Sequence, residues 1–164
     1  MGFATRHDLL ARSNAKSLAV LAVPADKEMP GIALRAAIDG EDLSEYPEVD
    51  NETMELALAT LDKCLADADA LLISYGVPAD ARSDLLARYA SVVALYYLYQ
   101  GEKITEEIKA SYDEVISQLV KFSKGLINLL PPDYVGADAG GGMAIIESAP
   151  SRYFRRCAKC EGDW

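Results

Sequence analysis

Hydrophobic positions along the chain recur at helical spacing over residues 53 to 124. In the first arm Met54, Leu58, Leu61, Leu65, Ala68, Leu72 and Tyr75 follow at steps of 4, 3, 4, 3, 4 and 3. Such steps place all seven side chains on one face of a helix, with Glu55, Asp62, Lys63, Asp67 and Asp69 on the others. A second run, Leu85, Tyr89, Val92, Tyr96 and Tyr99, is widened by Leu86, Val93 and Tyr97. A third passes through Ile108, Tyr112, Val115, Leu119 and Phe122. Three amphipathic helices with short breaks predict an all-α fold, an antiparallel helical bundle.

The helix ends carry their own chemistry. Thr5 and Asp8 have capping-box spacing and open either one helix or two short ones broken near Ser13-Asn14, in which case Asn14 caps the second. Leu9, Leu10, Leu18, Val20 and Leu21 supply the apolar positions of that region. Asn51 is expected to cap the first long arm, Asp80 the second and Thr105 the third. Gly76 with Pro78, Gly101 and Gly125 are the corresponding stops. Residues 23–50 hold three of the seven prolines, with Pro30-Gly31 and Asp39-Gly40 as turn signals. They read as a surface excursion from a bundle domain spanning 1–130, the short apolar piece from Ile32 to Ile38 being of undecided type.

After Leu130 the pattern ends. Pro131-Pro132 cannot continue a helix, and GADAGGG (136–142) brings almost nothing to pack. Residues 131–164 are therefore expected to form an extended tail, with one short strand near 143–147 as an option. Arg152, Tyr153, Phe154, Arg155 and Arg156 lie within it, and with Lys159 they contrast with an otherwise acidic chain. Aromatic and arginine side chains with no core to join are predicted to bind a partner.

A net charge of −10 and a pI of about 4.5 remove the electrostatic basis for general nucleic-acid or anionic-membrane binding. No apolar run approaches the roughly 20 residues of a membrane span, and MGFATRHDLL does not read as a secretory leader. Three cysteines do not make a disulfide framework, so the cell interior, or a particle assembled there, is the expected setting.

No set of residues suggests catalysis. The single histidine, His7, excludes a Glu-x-x-His di-iron pattern, and Asp62, Asp67 and Asp69 beside Lys63 read as a solvated face. Cys157 and Cys160 have half the spacing of a zinc site, with only Cys64 and His7 left to complete it. No metal, cofactor or enzymatic activity is expected. Tyr89, Tyr96, Tyr97 and Tyr99 ring one helix and cannot all face a three-helix core. They form either the rim of that core or a contact between subunits.

Several of these residues resemble a known family, the head–tail connector (adaptor, or head-completion) proteins of Mu-like phages and prophages. The opening Phe3-Ala-Thr-Arg-His-Asp-Leu is similar to the family's aromatic-x-Thr-x-x-Asp-Leu start. Ala66-Asp67-Ala68-Asp69-Ala70 followed by Tyr75 resembles its Ala-Asp-Ala helix, and Ala94-Leu95-Tyr96-Tyr97-Leu98-Tyr99 its Ala-x-Tyr-x-Leu-Tyr helix end. Lys109 to Leu129 resembles the last bundle helix, and Arg152-Tyr153-Phe154-Arg155-Arg156 a terminal Arg-x-Phe-x-Arg signature. The ending CAKCEGDW and the long 23–50 segment depart from that pattern.

The resemblance implies a non-enzymatic virion protein, assembled in the host cytoplasm. It would form a ring of twelve copies below the portal protein, meeting a tail or tail-terminator protein on the other side. DNA would pass through as non-specific cargo. Two other classes fit the residues: a cytosolic helical adaptor that binds one host protein through its tail, and a zinc-dependent interaction module using Cys157 and Cys160.

Overall fold

The computed structural model describes residues 2–24, 27–41, 51–99, 104–132 and 134. Those residues form six α-helices and contain no strand, so the described body is all-α. The helices are α1 (Arg6–Arg12), α2 (Ala15–Ala22), α3 (Gly31–Asp39), α4 (Asn51–Ser74), α5 (Asp84–Tyr99) and α6 (Glu106–Ser123). All six contribute to one apolar core. The optional strand at 143–147 lies outside the described residues.

Local chemistry sets most of the boundaries. Thr5 accepts from the Asp8 N–H while the Asp8 carboxylate accepts from the Thr5 N–H, so the capping box opens α1. Asn14 accepts from the Lys16 N–H at 2.9 Å and opens α2, which confirms two short helices here. Thr105 does the same for α6 through Ile108. Gly76 and Gly125 take φ of 91° and 70° just past α4 and α6, the left-handed region glycine enters without strain. Asp80 is not the cap of α5. The helix begins at Asp84, just after Ser83, whose hydroxyl accepts from the Leu86 N–H at 3.2 Å. Asp80 instead faces Tyr134, whose hydroxyl donates to its carboxylate at 2.6 Å. Asn51 is the first residue of α4 rather than its cap. Residue 50 and Gly101, and with Gly101 the expected stop after α5, lie outside the described residues.

α4 is the long axis of the molecule, 24 residues that pack chiefly against α5 and also against α2 and α3. Its predicted stripe is buried at Met54, Leu61, Leu65, Ala68 and Leu72, and Ala57 and Cys64 join it. α5 follows its neighbour on a different face from the one its large side chains suggest. Leu86, Ala90, Ser91, Val93, Ala94 and Leu98 are buried, whereas Leu85 is exposed and Tyr89, Val92, Tyr96 and Tyr99 are half-buried. The core side is the one rich in small residues, which lets helix axes approach closely and preserves packing density. Ser91 fits there because its hydroxyl donates to the Ala87 carbonyl at 2.7 Å.

The 23–50 segment is more than a surface excursion. Its middle is α3, nine residues with Ala33, Leu34, Ala36 and Ile38 buried against the body. Gly31 is the first residue of that helix rather than part of a turn. A Cβ there would lie 2.6 Å from the Lys16 amide nitrogen and 2.9 Å from the Ala15 carbonyl carbon, so α3 starts hard against the start of α2. Gly40, at φ 75°, closes the helix as its C-cap. Residues 42–50 lie outside the described residues.

Leu34→Ala is expected to cost about 2–5 kcal/mol in urea unfolding, the range for a fully buried leucine, which a surface excursion would not produce. Gly31→Ala should also destabilise, by about 1–3 kcal/mol, because backbone atoms rather than a flexible side chain block the added methyl. Near-zero changes at both positions would remove α3 from the core.

Candidate interaction surfaces

The tyrosine-rich end of α5 meets α6 along a seam. The Tyr96 ring stacks on Tyr112 with centroids 3.9 Å apart and planes at 13°. Tyr97 sits edge-on to Tyr96 at 6.1 Å and tilted to Tyr112 at 6.3 Å. Burial pushes the Tyr112 phenol up to about 12, with Tyr97, Tyr96 and Tyr75 adding to the shift. Offset and edge-to-face pairs of this kind add attraction beyond the area they bury. Tyr96 and Tyr97 therefore spend one ring face inside the subunit while keeping part of each ring in solvent.

Tyr89 and Tyr99 line a groove of about 550 Å³ between the end of α1, α5 and α6. Leu85, Val92 and Ile108 form much of its apolar wall, and Arg88 and Glu114 stand beside Tyr89. Burial raises the Tyr89 phenol, and Glu114 raises it further while Arg88 opposes. All four tyrosines singled out in the sequence thus lie on the α5–α6 side, split between a stack and a groove.

The acidic face of α4 does more than meet solvent. Arg6 forms a two-pronged pair with Asp62, Nε to Oδ1 at 2.7 Å and Nη2 to Oδ2 at 2.5 Å. The hydrogen bond and charge of Arg6 hold the Asp62 carboxyl below the usual range. One α-turn pair further along, the Phe3 N–H donates to Asp69 Oδ1 at 3.0 Å. Burial pushes Asp69 up and that hydrogen bond opposes the shift. The Phe3 ring is buried, with the Arg82 guanidinium 5.4 Å from its centroid. The amino-terminal segment is thereby fastened to α4, a role the sequence pattern of the three aspartates did not disclose. Their spacing on an exposed face carries no sign of which ones have a cation or an amide opposite. Asp62 and Asp67 are exposed as expected, whereas Asp69 is half-buried.

The two described candidates for a zinc site, Cys64 and His7, lie on different helices. Cys64 is buried in the α4 stripe, where desolvation pushes its thiol up and disfavours the thiolate a metal needs. His7 lies exposed on α1, 3.1 Å from Asp39 of α3. Among the described residues no group of three or more His, Cys, Asp and Glu side chains is arranged to hold a metal. Cys157, Cys160 and the tail set Arg152, Tyr153, Phe154, Arg155 and Arg156 lie outside the described residues. No helix among the described residues is long and apolar enough to cross a membrane.

The Arg6–Asp62 pair gives a pH-dependent contribution of known sign. Asp62 has a lowered folded-state pKa, so its stabilisation is present above the unfolded value near 4 and is lost as pH falls through the folded value. Both partners are substantially exposed, so Arg6→Ala should cost at most about 1 kcal/mol at neutral pH and little below pH 3. Urea unfolding of wild type and variant across pH 2–7 checks this; a gap that widens in acid contradicts it. For the aromatic seam, a double-mutant cycle of Tyr96→Leu with Tyr112→Leu should return a coupling of about 0.5–1.5 kcal/mol.

These surfaces belong to a chain that no curated protein matches. A family model does match it, under the description Bacteriophage Mu, Gp36, over residues 3–146. That stretch takes in all six helices together with the Phe3–Asp69 fastening, the Arg6–Asp62 pair and the tyrosine seam. With most of its length aligned to that model, the chain belongs to the bacteriophage Mu Gp36 family.

Proposed function

We propose that this protein is a non-enzymatic structural part of a phage particle, a head–tail connector that joins the portal to the tail. In this reading copies of the chain form a ring, with twelve as the expected number, and DNA passes through it without sequence-specific contact. The observation that carries the reading is membership of a phage Mu family by an all-helical chain. The acidic balance of −10 supports it, since a negative wall does not grip a passing phosphate backbone, whereas each neutralised phosphate adds affinity.

The partner contacts are assigned to the tail. Arg152, Phe154 and Arg155, with Tyr153 and Arg156, combine the residue types that dominate interfaces once desolvated. Their sequence neighbours offer them no apolar core. Acidic grooves on the portal, on the next tail protein or on neighbouring copies are the complementary surfaces. Tyr89, Tyr96, Tyr97 and Tyr99 are assigned to contacts between copies, through the parts of their rings left in solvent. The virion is then the site of action, reached by assembly in the host cytoplasm.

Electron microscopy of the purified protein, alone and mixed with portal, should show rings that cap the portal. Complementation of a phage lacking this gene tests the tail directly. Phe154→Ala should remove about 2 kcal/mol or more of binding per site and block head–tail joining, as should truncation at Ser148. Helical content and unfolding midpoint should stay unchanged in the Phe154 variant. Joined, infectious particles from both variants would show that the tail is dispensable.

A further inference from the structure

On a molecule with ten excess negative charges, one groove has the opposite character. It is an open depression of about 1070 Å³ between α2 and the start of α3. Among the described residues, Lys16, Lys27 and Arg35 stand on its rim against one carboxylate, Glu28. Lys27 is paired with Glu52 at 3.5 Å, whereas Lys16 and Arg35 project from exposed positions. The groove also holds the most exposed valine and the most exposed isoleucine of the described body, Val20 at 61% and Ile32 at 69%. Both lie at positions where a helix packed only on its own subunit carries polar residues. Exposed apolar groups within a charged rim are the composition of an interface rather than of a free surface.

A matching surface exists elsewhere on the same chain. α4 turns Leu56, Ala59, Lys63, Ala66, Ala70 and Ile73 outward at steps of 3, 4, 3, 4 and 3, and all six are exposed. At 100° per residue this row lies on the side of the helix opposite its buried stripe, and no other described element covers it. It runs about 25 Å along the axis at 1.5 Å per residue. Leu56 and Ile73, 40% and 46% exposed, give it apolar ends, and the alanines between them leave room for protruding side chains. Glu55 and Asp67 flank it as exposed carboxylates.

We infer that the α2–α3 groove of one copy receives the outer face of α4 of a second copy. Ile32 and Val20 would enter the alanine row, and Lys16 and Arg35 would meet Glu55 and Asp67. The charges decide between symmetries. Two grooves facing each other would set lysine and arginine against their own copies, whereas the α4 face, with Lys63 between Glu55 and Asp67, is net acidic and complements the groove. Like charges in contact across an interface cost several kcal/mol. The contact is therefore heterologous, groove to helix, and each copy retains one unused groove and one unused helix face. Repetition of such a contact generates a closed ring when the rotation closes and a filament when it does not. The inference rests on the ring reading for its biological setting, but the pairing of faces is independent of the portal.

Disulfide trapping in a background of Cys64→Ala, Cys157→Ser and Cys160→Ser tests the pairing. Ile32→Cys chains mixed with chains carrying Ala59→Cys, Ala66→Cys or Ala70→Cys should give a cross-linked dimer with at least one of the three. Ile32→Cys alone should give none. The double variant Lys16→Glu/Arg35→Glu should shift assemblies to monomer in sedimentation with unchanged helicity. Adding chains that carry Glu55→Lys and Asp67→Lys should restore mixed assemblies. Rings that form without any of these cross-links, cross-links of Ile32→Cys to itself, or a wild-type chain that is monomeric at every concentration would overturn the pairing. Rings without the cross-links leave the connector reading standing. Cross-linked assemblies that never bind portal overturn that reading and leave the interface intact.

Discussion

The fold depends on how closely α4 and α5 can approach. Ala57 and Ala68 on one helix and Ala90, Ser91 and Ala94 on the other are essentially inaccessible to solvent. Small side chains at such a crossing let backbones come near and bring many atoms into dispersion contact, each weak but numerous. The larger residues then take up the flanks. Leu61 and Leu72 fill one side, Leu86 and Val93 another, and the short helices α2 and α3 close over α4 where its stripe would otherwise face water. A bulkier residue at Ala90 or Ala94 would push α5 away and loosen every layer that rests on it.

Two separated sequence motifs turn out to be one physical contact. Phe3 and Asp69 belong to stretches 66 residues apart, yet the amide of one bonds the carboxylate of the other, and Arg6 repeats the link at Asp62. The aromatic start of the chain is useful because its ring is buried beneath Arg82 at the α4–α5 connection. The aspartates are useful because they receive it. Residue types that look like an ordinary solvated helix face are thus held in place by a segment distant in sequence.

The long helices were legible because their apolar period and caps are local properties, and both agree with burial in α4 and α6. The capping box at Thr5, the cap at Asn14 and the glycine stops at Gly76 and Gly125 rest on the same local chemistry. α5 was read one position off its true core face, since pattern reading weights large residues and overlooks alanine at a close crossing. α3 escaped because nine residues with a proline and glycine before them carry a turn's composition. What it packs against, including the backbone at the start of α2 opposite Gly31, lies outside any local window. The interaction surfaces were partly legible: the tyrosines announced themselves by number, whereas the basic groove is assembled from Lys16, Lys27 and Arg35 across two helices and a connection.

The hydrogen bond between Tyr134 and Asp80 has a mechanical consequence. It fixes Tyr134, the last described residue, beside the α4–α5 connection. Chain geometry alone then limits Arg152, 18 residues further on (152 − 134), to within about 65 Å of that point. Under the role proposed for the arginines, that radius bounds the neighbours they could meet, and loss of the Tyr134 hydroxyl would release its centre without altering them. The length of chain after the anchor, as well as side-chain chemistry, would then select the partner.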